Sequence, residues 1–224
     1  MTRRPVSAAI ASAACVLALV VGCARSDDTA RHGTMVGEPA ALRLNHLSES
    51  MLIDEDAVPA LAGSSWGRIV AAPQGVEPTV TPPECALFLS HGVASQKAMA
   101  LRSSKSGAIG VELALADVTR DLPDLLDRCR SFSFDGGPIR SVVDVEPSAA
   151  DDLPAGAIRA VLHCQRMGQG ATVAWDIAMV AGYRRGIFVI ALYTPGPYGP
   201  GFDAELADSL GDMYRNQIAK LDGA

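Results

Sequence analysis

The sequence predicts an α+β domain: an antiparallel sheet of about five to six strands, stapled by a disulfide, with helices packed on one side. Two observations lead to this class. Alternating apolar and polar residues, the mark of a half-buried strand, recur in pairs separated by short turns, most clearly over residues 109–115. Two other segments, 121–132 and 203–221, instead carry apolar residues at helical spacing.

The first part of the domain contains short elements and one hairpin. Asp54 can cap a short helix, Gly63 can end it, and a proline-rich loop separates the next strand from a helical turn. The hairpin turns around Ser104 to Gly107. In chain order the predicted elements are a helix at 54–62, a strand at 67–72, a loop at 73–83, a helical turn at 84–90 and strands at 98–103 and 108–116.

The second part alternates between a helix, four strands and a closing helix. Pro123 suits the first turn of its helix, and the strand at 187–193 is almost wholly apolar, which predicts a central position in the sheet. The predicted elements are a helix at 121–132, strands at 139–145, 157–165, 172–181 and 187–193, and a helix at 203–221.

Composition limits the possible functions. The 224 residues include 19 Lys+Arg and 25 Asp+Glu, for a net charge of −6, and 49% are hydrophobic. This composition is globular and excludes a disordered chain. The acidic balance argues against a nucleic-acid partner, because phosphate binding needs a basic face.

The N-terminus has the features of a bacterial lipoprotein signal peptide. Arg3 and Arg4 precede an uncharged run at 6–21, which is shorter than the roughly 20 residues of a membrane span. The run ends in Val20-Val21-Gly22-Cys23, which resembles a lipobox. The resemblance implies removal of residues 1–22 and acylation of Cys23, for example with palmitate. Plain secretion, a retained anchor and use of Cys15 are the alternatives.

The predicted mature chain has a tether and one domain. Residues 23–45 are polar and mixed and are expected to form a flexible tether, and 46–224 have a length that suits a single domain. The protein is therefore expected at the outer face of the cell membrane, lipid-anchored and extracytoplasmic.

Three cysteines remain in the domain: Cys85, Cys129 and Cys164. Export to an oxidising compartment favours one disulfide. The spacing favours Cys85–Cys129 and leaves Cys129–Cys164 as the competitor, with Cys164 otherwise a buried thiol. No metal site or cofactor is predicted, because the sequence has no C-x-x-C and His163 would point away from Cys164 on a strand.

Several motifs together resemble one known family, the extracellular sensor domain of PknH-type mycobacterial Ser/Thr kinases, which includes stand-alone lipoproteins. They are Leu52-Ile53 and Val58 ahead of Gly63, Thr81-Pro82-Pro83-Glu84-Cys85, Gly110-Val111-Glu112-Leu113-Ala114-Leu115 and Asp127-Arg128-Cys129. The resemblance implies an antiparallel sheet flanked by helices, a cleft for a small ligand and a Cys85–Cys129 bridge. The sequence contains no kinase segment, so signalling would require a partner.

The sequence favours a non-catalytic, sensor-like domain that binds an unidentified small ligand or envelope protein. Asp176, between apolar neighbours, Tyr198, in a stiff loop, and Trp66 are the candidate ligand-binding residues. A hydrolase using Ser65 in Gly63-Ser64-Ser65-Trp66-Gly67 is the first alternative, although a nucleophile elbow needs a strand before the serine and a helix after it. A lipid carrier with an apolar cavity is the second.

Overall fold

The computed structural model describes residues 43–71, 78–89, 96–136, 139–168, 171–197, 199 and 201–224. Over these ranges, nine strands form one sheet in the order β1-β3-β4-β9-β8-β7-β6-β5-β2, and every neighbouring pair is antiparallel. The strands are β1 Ser65–Ala71, β2 Thr79–Thr81, β3 Lys97–Ser104, β4 Gly107–Leu115, β5 Ser131–Gly136, β6 Ile139–Ser148, β7 Ile158–Gly168, β8 Ala171–Arg184 and β9 Ile187–Pro195.

The same ranges contain two α-helices and three short 3₁₀ helices. The α-helices are α1 Leu122–Arg128 and α2 Ala204–Asp222, and the 3₁₀ helices are Glu49–Met51, Glu55–Ala57 and Pro83–Leu89. The α+β class is as predicted. The helix expected at 54–62 is reduced to a single 3₁₀ turn, ahead of Pro59, whose ring disfavours a helix interior.

The described sheet has nine strands, more than the five to six expected, because all seven predicted strand segments join it together with two strands that were not predicted. β2 lies inside the segment predicted as a loop, and β5 occupies the end of the helix predicted at 121–132. Phe132 explains why β5 was not predicted. It follows Cys129 at helical spacing, which suggested that the helix continues, but it also follows the polar Ser131, as in a half-buried strand, and it pairs with Val143 on β6. Helix α1 therefore ends at Arg128, and the sheet gains a strand.

The helices cover opposite faces of the sheet, so the expectation that they pack on one side is wrong. The α1 core, on one face, includes Leu125 of α1, Leu162 of β7 and Ile190 of β9. The α2 core, on the other face, includes Val189 of β9 and Met213 of α2. Because β9 is apolar on both faces, it requires cover on both faces.

One disulfide, Cys85–Cys129, staples the α1 side of the domain, as predicted. It joins the 3₁₀ helix Pro83–Leu89 to the C-terminal end of α1. Cys164 is a free, buried thiol, and burial raises its pKa to about 12. It therefore stays protonated and unreactive near neutral pH.

Helix α2 is fixed at both ends and along its buried side. The Asp203 side chain accepts hydrogen bonds from the first turn, and Arg185 donates to the carbonyl of Leu221 in the last turn. In between, the Tyr214 side chain lies so close to Gly182 of β8 that any Cβ at Gly182 would collide with its hydroxyl. The glycine thus lets the helix approach the sheet.

The described chain begins in contact with this domain. Arg43 donates to the carbonyl of Ala116, and the Leu44 amide donates to the carbonyl of Arg185. Across the described ranges, none of the helices combines the length and the apolar character that a membrane span requires. The predicted signal peptide, Cys23 and most of the predicted tether lie outside the described residues.

Candidate functional site

One half of a sheet face carries an exposed polar surface. Side chains that are direct neighbours across antiparallel strands share a face. On this basis Asp176 of β8 shares its face with His163 of β7 and Asp144 of β6, and Glu146 and Gln165 follow on the same side. We call these five residues the polar face. Helix α2 packs on the same side of the sheet, but over β8, β9 and β4.

His163 is the centre of the polar face and links three strands. Its Nδ1 lies 2.8 Å from Oδ1 of Asp176 on β8, and its Nε2 lies 3.0 Å from Oε2 of Glu146 on β6. Asp144, directly opposite His163 on β6, accepts a hydrogen bond from the Ser131 hydroxyl at 2.7 Å. The polar face therefore contains three carboxylates around one imidazole.

These groups remain accessible to solvent while they interact. The side chains of His163 and Asp176 are 41% and 40% exposed, and that of Glu146 is 70% exposed. The hydrogen bond with Asp176, followed by that with Glu146, raises the pKa of His163 above its ordinary value of 6.5, and partial burial opposes this only in part. The polar face can thus change charge near neutral pH.

From its sequence, Asp176 could lie on an open face of the sheet, or on a covered face where burial of its charge would require a cationic partner such as Arg159. Asp176 points away from Trp175, to the uncovered face, and its partner is His163. Arg159, a partner that burial would have required, instead pairs with Asp152 at 2.9 Å. His163 was not predicted as a site residue, because only the register of β7 against β8 brings it beside Asp176.

Trp66 lies elsewhere, on the edge strand β1. The guanidinium groups of Arg68 and Arg102 lie 5.7 and 5.8 Å from the centre of its ring. Both arginines also bind the N-terminal segment, through the carbonyls of Ile53 and Val58. Trp66 is thus part of an arginine clamp on that segment. It is four strand spacings from β8, about 19 Å at the usual separation.

The other candidate residues that were predicted from the sequence are not found on the polar face. Tyr198 lies outside the described residues. Ser65 begins β1 and pairs with Ser103 of β3, so the serine has a strand after it where a nucleophile elbow has a helix. Within the described ranges, no three His, Cys, Asp or Glu side chains are arranged to hold a metal ion.

The opposite face of the sheet carries a second, apolar surface. Val173 of β8 is 46% exposed there. Trp175 and Ile177 of β8 and Leu192 of β9 are half-buried at the edge of the α1 core. We call these four residues the apolar strip; it provides the surface that the lipid-carrier alternative would use.

The geometry defines an α+β domain with one antiparallel sheet between helices and an exposed polar face, and a solved structure shares this fold. The extracellular domain of PknH from Mycobacterium tuberculosis matches over 80% of this chain and 98% of its own, with a TM-score of 0.50 and 10% identity. The resemblance to the PknH-type domain is therefore confirmed as a resemblance of fold.

A second solved structure is less similar in fold, and the sequence comparisons found no match. An uncharacterized Mycobacterium smegmatis protein, the Rv0999 ortholog, matches over 71% of this chain and 91% of its own, with a TM-score of 0.44 and 17% identity. No protein-family model matches the sequence. No curated protein matches it either.

Proposed function

We propose that the protein is a lipid-anchored lipoprotein of the cell envelope whose domain binds a ligand or partner without catalysing a reaction. In this proposal acylated Cys23 holds the chain at the outer face of the membrane, and the part of the predicted tether that precedes Arg43, the first residue bound to the domain, lets the domain move away from the surface. Two or more acyl chains suffice for stable anchoring, so the domain itself needs no membrane-binding face.

The single observation that carries the binding role is the uncovered polar face. Large parts of the described sheet are buried: the α2 core covers one side over β8, β9 and β4, and the α1 core covers the other side next to the apolar strip. On β6, β7 and the first half of β8, the α2 side instead presents Glu146, His163 and Asp176 to solvent in a fixed arrangement. Rigid strands that hold polar groups in place without cover are suited to recognition.

Two further observations support a non-catalytic role. The fold is that of a kinase's extracellular domain, which is consistent with a sensor-like module, although at 10% identity the likeness extends to the fold alone. The position of Ser65 at the start of a strand does not fit the nucleophile elbow that the hydrolase alternative requires.

Native mass spectrometry tests the proposal. The protein would be the predicted mature chain with Cys23→Ser, exported by a mycobacterial host, and spectra would be taken before and after organic extraction. We expect a mass excess that extraction removes. It should be lost from the Glu146→Gln/Asp176→Asn variant and kept by Asp208→Asn, a matched change on the exposed side of α2.

The outcomes separate the alternatives. An excess that the polar-face variant retains would contradict binding at that face, and an acyl-rich molecule would then favour the apolar strip and a carrier role. A clean apo mass would contradict a tightly bound small molecule and leave a protein partner as the candidate.

A further inference from the structure

The two hydrogen bonds of His163 cannot both persist in every protonation state. An ionised carboxylate only accepts hydrogen bonds, whereas a neutral imidazole carries a single N–H donor. Nδ1 faces Asp176 and Nε2 faces Glu146, so both contacts are satisfied together only when the ring carries two protons. With both carboxylates ionised, an imidazolium is the form of the ring that fits this geometry.

The charges around the ring favour that state. From β6, Glu146 binds the ring and Asp144 lies directly opposite it, while from β8 Asp176 binds the ring. On β7 itself, the neighbours on the same face are Val161 and Gln165, which are uncharged. The charged groups of β6 and β8 that face His163 are thus all carboxylates, and each stabilises a positive ring.

We infer that His163 is a pH-operated clasp on the polar face. When protonated, it joins β6 and β8 to β7 through two charge-assisted hydrogen bonds. When it loses a proton, one ring nitrogen becomes an acceptor, its bond to a carboxylate is lost, and that carboxylate turns to solvent. The polar face then loses one positive charge, and one carboxylate becomes a free acceptor.

This switch gives the polar face a pH-dependent affinity, a consequence that rests on the proposed function. A ligand that brings a positive charge or hydrogen-bond donors would bind more tightly above the pKa of His163 than below it. The clasp itself stands on the geometry of three strands and requires no ligand.

NMR titration of the imidazole signals tests the clasp directly, in the same exported chain with Cys23→Ser. His163→Gln assigns the signal by its loss. We expect His163 to titrate above 6.5, and to titrate at lower pH in both Asp176→Asn and Glu146→Gln. The control is Asp144→Asn, which removes an equal charge beside the ring without removing a bond to it, and should cause a smaller shift.

The pH dependence of unfolding provides a second test of the clasp, and it can be made with more than one variant. Because the folded pKa is raised, the clasp stabilises the fold fully below about 6.5 and is lost as pH rises through the folded value. In urea unfolding, the stability advantage of wild type over His163→Gln should therefore be larger at pH 5.5 than at pH 8. If that variant does not fold, Asp176→Asn and Glu146→Gln should show the same loss at low pH.

Each result decides one part of the inference. A His163 pKa at or below 6.5, or one that neither carboxamide variant lowers, would overturn the clasp. If native spectra show no bound ligand, the proposed function fails while the titration still decides the clasp. If a ligand is bound equally at pH 5.5 and pH 8, the regulation is overturned.

Discussion

At the scale of single residues, the buried amide of Gln217 connects the N-terminal segment to the rest of the domain. Gln217 is fully buried on α2, and its side chain accepts from the Ile53 amide at 3.0 Å and donates to the Met51 carbonyl at 2.6 Å. Sequence periodicity identifies the apolar side of α2 but gives no reason to bury a glutamine there. Its role follows from a contact across 164 residues of chain.

Gln217→Leu should lower the free energy of unfolding by about 3 kcal/mol, because it leaves two buried backbone groups unpaired while preserving side-chain volume. Urea unfolding measures the change. Asn216→Leu, at the exposed neighbouring position, is the matched control and should have little effect. Equal stability of the two variants would show that Gln217 is not needed to hold the segment.

Substitutions at Trp66 and at Asp176 should have different effects, because Trp66 supports stability and Asp176 supports ligand binding. Trp66→Ala removes the ring between Arg68 and Arg102 and should cost about 2 kcal/mol of stability, while the ligand-derived mass excess per folded molecule stays unchanged. Asp176→Asn should instead remove the mass excess, and at pH 8, where the clasp contributes no stability, it should leave the free energy of unfolding close to that of wild type. Loss of the bound mass in folded Trp66→Ala protein would instead return Trp66 to the binding site.

At the scale of elements, local patterns predicted most of the strands and both α-helices, and the misses have physical causes. The apolar patterns of β6 to β9, including the continuous apolar run of β9, predicted these four strands to within three residues of their observed ends. β2 spans only three residues, too few for periodicity to register, and β5 shares its apolar positions with the helical pattern of α1. Residues 131–136 form a strand because they pair with β6, and this tertiary contact cannot be inferred from a local sequence pattern.

The Cys85–Cys129 staple should be worth about 4 kcal/mol, because it closes a loop with a sequence separation of 44 residues. Urea unfolding with and without reductant measures it. Wild type and Cys164→Ala should both be sensitive to reductant, whereas Cys85→Ser/Cys129→Ser should be insensitive. Alkylation of the denatured, unreduced chain at any cysteine of the domain other than Cys164 would contradict the pairing.

At the scale of the whole molecule, the anchor determines where the domain acts. Cys23→Ser should abolish metabolic labelling with a fatty-acid analogue and move the protein out of the membrane fraction, because the acyl chains provide the attachment. Cys15→Ser, in the apolar run of the predicted signal peptide, is the control and should leave both unchanged. Continued labelling of Cys23→Ser would contradict acylation at this residue.

The polar face illustrates what sequence can and cannot specify for a site. Alternation in β8 placed Asp176 opposite Trp175, so one residue of the face was predictable. The association with His163 and Glu146 depends on the register of β6, β7 and β8, which sets three distant residues side by side. Nothing in the spacing of residues 146, 163 and 176 along the chain indicates that they meet.

The most direct test of binding at the polar face is site-specific photo-crosslinking in living mycobacterial cells. A photoreactive amino acid would replace Gln165, an exposed residue of the polar face, or Asp208, an exposed residue of α2, in the anchored protein. We expect an adduct of defined mass from position 165 that Glu146→Gln/Asp176→Asn removes, and none from position 208. Adducts of equal yield at both positions, or at position 208 alone, would rule out specific binding at the polar face.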